Sequence, residues 1–445
     1  MKLKVENIRS FYGEHTLDIR PITLLVGENS SGKTTALACL AAACNRDSFA
    51  LKPVLDRPPY ILGDFEAIRS RSKADADPQF GIGLTSTGSL GEDESRIYAS
   101  FGKDVFGQPE LRSLEVENED SGFHTELRRR GRSVHLATAY LRPSDQGVRQ
   151  EVKTGRIDLS PEDLDRSVAQ SRALLDLIPL LGIDSRVSRK TDKGETHGPN
   201  ETALLLRLMD TPFGSMDPPT ISLAPIRTSP QSTYEPHQEV FDPEGAHVPF
   251  ALAKTLSTQG NEKVTGRLVR AVKRFGEESG LFQDVSIRRL GQNAGDPFQV
   301  MIRQGRALTN LAHVGYGVSQ SLPIVYEMIR RPKGTRVLMQ QPEVHLHPRA
   351  QAALGSLISR LCTAEQKSFV IETHSDYLVD RVRQEVARGT VSAEDVVILY
   401  FEKRARKSKI YDIRLDDAGN ILDAPPTYRD FFMREQLSLL GAGID

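Results

Sequence analysis

The chain has 445 residues, a formal charge of -1 from 58 Lys+Arg against 59 Asp+Glu, and three cysteines, Cys39, Cys44 and Cys362. That length can bury one large or two modest cores, and three cysteines without CxxC spacing exclude a disulfide framework and favour a reducing compartment. The balanced charge excludes a basic field over the whole chain, so any contact with nucleic acid must be local.

The opening MKLKVENIRS lacks the basic-then-apolar plan of a secretory signal. The longest apolar stretch, 36–44, falls well short of the roughly 18 residues of a membrane helix. A cytoplasmic chain without a membrane partner is expected. In chain order, residues 2–9, 16–19 and 22–26 read as strands, the last buried, and 34–43 as a helix. Between 58 and 140, strand-like pieces at 80–85, 96–101, 123–127 and 134–140 alternate with Gly, Asp and Ser clusters and predict a mostly antiparallel β lobe. Ser160 followed by Pro161 reads as a helix start, with a helix to about 181, a charged loop over 186–200 and a short helix over 201–210. Strand 220–224, helices 248–256 and 264–280, and strands 285–290 and 298–303 come next. The last third alternates: helix 318–330, strand 337–340, helix 349–362, strand 369–372, helix 376–388, then strands 396–401 and 409–415. Such alternation predicts a parallel α/β sheet. The expected division is an N-terminal lobe with the β subdomain (1–150), a helical insertion (151–215) and a C-terminal lobe (216–445).

Gly27-Glu28-Asn29-Ser30-Ser31-Gly32-Lys33-Thr34 fits GxxxxGK[ST] in full, with a strand before it and a helix after. The glycines let backbone N–H groups turn toward phosphate oxygens, Lys33 reaches the terminal phosphates, and the Thr34 hydroxyl is placed to ligate Mg²⁺. The helix N-terminus adds its positive end. Gly27 through Thr35, with Thr35 closing the set, are the expected ATP-binding residues, and ATP and Mg²⁺ the expected cofactors.

The segment ENIRSFYGEHTLDIRPITLLVGENSSGKTT (6–35) resembles the start of the SMC/RecF-type ABC ATPases. VGYGVSQSLPI (314–324) resembles the signature region of their OLD-like branch, VLMQQPEVHLHP (337–348) its Walker B strand and D-loop, and FVIETHSD (369–376) its switch strand. APIRTSPQSTYEP (224–236) and GNILDAPPTYRDFF (419–432) resemble the same branch. The resemblance implies an α/β ABC-ATPase head with a mixed/parallel sheet core, an antiparallel β lobe and a short helical insertion. It also implies a homodimer or higher oligomer with ATP sandwiched between chains, Gly315, Gly317, Ser319 and Gln320 of one chain meeting the γ-phosphate held by the other. His374 would donate to that phosphate or to the attacking water.

One departure from the family pattern bears on turnover. Gln340 stands where an acid orients Mg²⁺ through water, and Gln341 where the catalytic glutamate stands. A glutamine positions water but takes no proton, and general-base help is worth about 10²- to 10⁴-fold. Slow hydrolysis is therefore expected, with Glu343 as the nearest candidate base. ATP acting as a clamp rather than a fuel, or a Glu-to-Gln trap introduced at Gln341, fits the same letters.

His345 and His347 read as D-loop residues rather than metal ligands, and Asp416-Asp417 as a turn. OLD-like nucleases carry a Toprim domain after the switch histidine; about 70 residues follow His374 here, too few beside the strands assigned there. The basic groups at 128–132, 186–193 and 403–409 read either as solvated loops or as contacts for a nucleic-acid backbone or an acidic partner. The leading expectation is the ATPase subunit of an anti-phage defence complex, similar to those of PARIS-like or Septu-like systems, sensing a phage protein or DNA and controlling a separately encoded effector, a nuclease. A RecF-like DNA-repair clamp and an ATP-binding scaffold without turnover are the alternatives.

Overall fold

Alternation of apolar and polar residues sets the first strand in the computed structural model: β1 (Lys2–Ile8) buries Leu3 and Val5, and the phase then shifts at Asn7, whose φ is 53°, so that Ile8 is buried as well. The structure describes residues 1–49, 52–71, 78–87, 94–118, 123–130, 133–142, 150–159, 219–236, 240–257, 262–293 and 295–428. Residues 160–215 of the expected helical insertion lie outside them, as do the charged loop at 186–193 and residues 131–132 of the arginine tip, whereas 151–159, expected within the insertion, continue a strand.

The chain divides into two units, one of residues 1–16, 42–56 and 62–217, the other of 17–41, 57–61 and 218–445. The first unit is built on a sheet in the order β2-β1-β4-β5-β6-β7-β8-β9. Its strands are β2 (Phe11–Asp18), β4 (Phe80–Thr87), β5 (Glu94–Lys103), β6 (Pro109–Asn118), β7 (Phe123–Arg130), β8 (Ser133–Arg142) and β9 (Gln150–Leu159), beside a one-turn helix at Phe65–Ile68. Every pair from β1 to β9 is antiparallel, as expected for the β lobe. Strands β6 and β9 were not foreseen.

The second unit holds the α/β core. The run Ile22–Gly27 is buried at nearly every position, as a strand covered on both faces must be, and forms β3. It lies inside a sheet ordered β10-β14-β15-β3-β16-β17-β18, where β10 is Thr220–Leu223, β14 Arg336–Gln340, β15 Ser368–Glu372, β16 Val396–Arg404, β17 Lys407–Leu415 and β18 Ile421–Leu422. Pairing is parallel from β10 to β16 and antiparallel beyond. The core is therefore mixed, with its parallel part central, and the α/β fold class is as expected. A small antiparallel sheet, β11 (Asp284–Arg289), β12 (Phe298–Gln304) and β13 (Ala307–Asn310), joins the same unit. Helices of this unit are Lys33–Ala43 (α1, whose last two residues fall to the first unit), Val248–Ser257, Glu262–Ser279, Tyr316–Arg330, Pro348–Glu365 and Asp376–Ala387. Among the described residues no helix is long and apolar enough to cross a membrane.

Candidate functional site

Parallel strands end at one edge of a sheet, so the loops leaving them converge there. At that edge Gly27 closes β3 with φ 135°, and a Cβ in its place would lie 2.1 Å from the Phe401 carbonyl oxygen of β16. Only glycine fits so close an approach. Glu28, Asn29 and Ser30 form an exposed crest, Ser30 at φ 58°, and the chain returns through Gly32 at φ 101° into α1. Ser31 is buried beneath, its hydroxyl donating to the Glu28 carbonyl at 2.7 Å while its own carbonyl accepts from the Ser408 hydroxyl at 2.6 Å.

The first N–H groups of a helix have no partner within it and carry the positive end of the helix dipole. Helix α1 has no acidic residue in its first turn to oppose an anion there. Lys33 lies back across the loop, donating to the carbonyls of Gly27 (2.9 Å) and Glu28 (2.6 Å). Burial lowers its pKa, while the charges of Glu372 and Glu28 oppose that shift. Thr35 is buried on the same helix.

The register of β14 against β15 pairs Gln340 with Glu372. Both reach the Thr34 hydroxyl: Gln340 Nε2 donates to it at 3.1 Å, and it lies 3.0 and 2.8 Å from the two Glu372 carboxylate oxygens. Thr34 and Gln340, expected together from the sequence, are together; Glu372 was missed. Its signal was a lone carboxylate at the end of the apolar run Phe-Val-Ile. Glu372 is 4% exposed, and burial raises its pKa against the lowering effects of Thr34 and Lys33.

Gln341 leaves β14 at φ 44° and ties its N–H to the Glu372 carbonyl at 2.7 Å. Glu343 crosses the other way, its Oε1 accepting the His374 N–H at 2.7 Å. The Glu343 carboxylate is buried, its Oε2 has no hydrogen-bond partner, and burial raises its pKa. Arg227, just past β10, is buried beside it. Its Nη2 makes a long 3.5 Å contact with the Gln341 carbonyl, while Nε and Nη1 have no partner. Burial lowers this guanidinium to about 10, against the opposing charge of Glu343. His374 is exposed; partial desolvation and then the Lys33 charge lower its pKa, so it is neutral near pH 7.

The expected signature residues divide. Gly315 precedes the helix Tyr316–Arg330 as its N-cap, without a side-chain cap, and is exposed together with Tyr316. A Cβ on Gly317 would stand 3.0 Å from the His345 carbonyl, and the Tyr316 and His345 rings meet edge to face at 4.7 Å. Ser319 and Gln320 are buried: the Ser319 hydroxyl turns back to the Tyr316 carbonyl at 3.0 Å, and Gln320 Nε2 has no partner. Ser319 also borders a cavity of about 330 Å³ whose lining includes no phosphate-loop residue. Of the four expected signature residues, Gly315 is thus exposed, while Ser319 and Gln320 are buried. His347 caps the helix Pro348–Glu365 by accepting the Arg349 N–H.

Fold and site together define a phosphate-loop, nucleotide-binding α/β domain. Two family models described as AAA domains match it, one over residues 2–132 and one over 229–380, the latter described by reference to the AbiEii toxin of a type IV TA system. The chain is thus similar to AAA domains over two separate segments. No curated protein matches the chain. Among solved structures it is similar to an SMC head bound to the C-terminal winged-helix domain of ScpA (12% identity, 94% of this chain and 98% of that one, TM-score 0.43). It is also similar to the SMC head domain of Thermotoga maritima (11%, 92% and 97%, TM-score 0.38) and to a Pyrococcus furiosus SMC head with an extended coiled coil bound to the C-terminal domain of ScpA (10%, 98% and 98%, TM-score 0.39).

Proposed function

We propose that this chain is an ATP-binding, slowly hydrolysing ABC-type ATPase that closes in pairs around the nucleotide, within an anti-phage defence complex whose separately encoded effector, a nuclease, it controls. The observation that carries the nucleotide reading is the loop from Gly27 to Thr34, with its glycine-only close approach, its lysine lying over two carbonyls and a helix N-terminus behind it. On binding, Lys33 exchanges the Gly27 and Glu28 carbonyls for phosphate oxygens, and the backbone of residues 27–34 takes the rest.

The residues present fit a divalent cation, since Thr34 offers a hydroxyl at the helix start with Gln340 against it. Mg²⁺, when bound, supplies charge neutralisation for the phosphates. Gln341 orients the water, neutral His374 faces the terminal phosphate, and Glu343 takes the proton. A buried carboxylate with a raised pKa is the better proton acceptor near neutral pH. The uncapped, exposed start of the helix Tyr316–Arg330 supports a phosphate contact from a second chain. The toxin–antitoxin description of the matched family model supports the defence setting.

Size-exclusion chromatography with Mg-ATP tests the closure: the wild-type chain is expected as a dimer and Lys33→Met as a monomer. Wild type that binds ATP yet stays monomeric at all concentrations rejects it. Phage plating on cells carrying the chain with its adjacent genes tests the setting. Equal plating with wild type and Lys33→Met counts against defence.

A further inference from the structure

Phosphate-loop metal sites hold a carboxylate near the cation, and β14, where the resemblance places one, ends in Gln340 and continues in Gln341. Resting on the nucleotide-binding reading above, we propose that Glu372, at the end of the neighbouring strand β15, is the carboxylate that holds the divalent cation bound at Thr34. Three observations carry it.

Both Glu372 oxygens are within hydrogen-bond distance of the Thr34 hydroxyl, the group that ligates the cation in this motif. The parallel register sets Glu372 directly beside Gln340, and the two side chains converge on that single oxygen from adjacent strands. The acid has therefore moved one strand across the sheet without leaving the site. Finally, Glu372 is 4% exposed, yet among the described residues Thr34 is the hydrogen-bond donor to its carboxylate and no ion pair reaches it. The nearby cation, Lys33, is spent on the carbonyls of Gly27 and Glu28. A carboxylate removed from water without a matching cation is costly to keep, and a divalent ion at Thr34 supplies the missing charge. The two glutamines then leave the metal side of the site intact; what they remove is the acid at Gln341.

The alternative is that Glu372 only orients the Thr34 hydroxyl. Titration of the full-length chain with Mn²⁺ in the presence of ATP, followed by electron paramagnetic resonance, separates the two, with ATP affinity measured in EDTA as the control. Glu372→Gln keeps a hydrogen-bond acceptor for Thr34 but loses the charge. It is expected to weaken Mn²⁺ binding by about 10- to 100-fold while ATP affinity in EDTA does not fall, since the variant removes only a negative charge beside the phosphate loop. The double variant Q340E/E372Q, which places the carboxylate on the register partner, is expected to recover part of that loss. Mn²⁺ binding to E372Q as tight as to wild type overturns the proposal. Should E372Q not fold, Glu372→Asp keeps the charge and withdraws it by one methylene; Mn²⁺ affinity equal to wild type there overturns it equally. Absence of ATP binding by wild type in EDTA and in Mn²⁺ alike would instead reject the nucleotide reading itself.

Discussion

Two groups of buried glutamates in the α/β unit meet opposite fates. Glu327, inside the helix Tyr316–Arg330, is fully buried and fully partnered: Oε1 accepts from His247 Nε2 at 3.0 Å and Arg330 Nε at 2.7 Å, and Oε2 from Arg331 Nε at 2.7 Å. His247 Nδ1 accepts the Asp242 N–H, which leaves the hydrogen on Nε2 for Glu327. Burial pushes the Glu327 pKa up, but His247 and the two arginines outweigh it and the net shift is down. At the sheet edge, Glu343 and Glu372 are almost as buried and much less satisfied, and burial prevails, raising both. A buried charge that the fold itself completes is structural; one left short of partners beside a phosphate loop is the signature of a functional-site candidate.

The largest expected effect is at the satisfied site. Glu327→Ala strands two arginines and should cost about 3–5 kcal/mol in urea unfolding; a loss below about 1 kcal/mol would erase the contrast between the regions. Lys33→Met should do the reverse, leaving unfolding nearly unchanged while weakening ATP binding by a charge-assisted contact of about 1.5–3 kcal/mol, roughly 10- to 100-fold by calorimetry.

Glu343→Gln sharpens the contrast through pH. A carboxylate whose folded pKa is raised contributes stability that is present below the unfolded pKa and lost as pH rises through the folded one. The variant, which cannot ionise, should thus be more stable than wild type by about 1 kcal/mol at pH 8, with the difference gone below the ordinary carboxylate range. Glu327 runs the other way: its lowered pKa gives stability present above the unfolded value and lost as pH falls through the folded one. The smallest effect is expected from Arg227→Met, which removes a guanidinium with two unpartnered nitrogens and fills most of its volume. Thermal unfolding should move by less than about 1 kcal/mol, and a large loss would show that Arg227 is held by more than its contacts to Gln341 and Glu343.

Local chemistry was legible in the letters. The phosphate loop is one contiguous run, and strand–loop–helix follows from burial and glycine spacing over residues 22–43. Most helices and strands of the second unit were foreseen because apolar periodicity is a short-range signal. Strand β6 was not: it opens on Pro109, and a register shift between Ser100 and Phe101 interrupts its pairing with β5, so its alternation is broken where a reader would look for it. Strand β9, QEVKTGRIDL, is mostly polar.

The sequence alone thus determined the phosphate-loop motif over residues 27–34, since backbone geometry there depends on residues adjacent in the chain. It also showed that β14 ends without an acid. Only the tertiary structure showed which carboxylate lies against Thr34. Thr34 and Glu372 are 338 residues apart, and what brings them together is the parallel pairing of β14 with β15 and of β15 with β3. The partners of a strand are chosen by the packing of the whole sheet, which no local pattern of residues records.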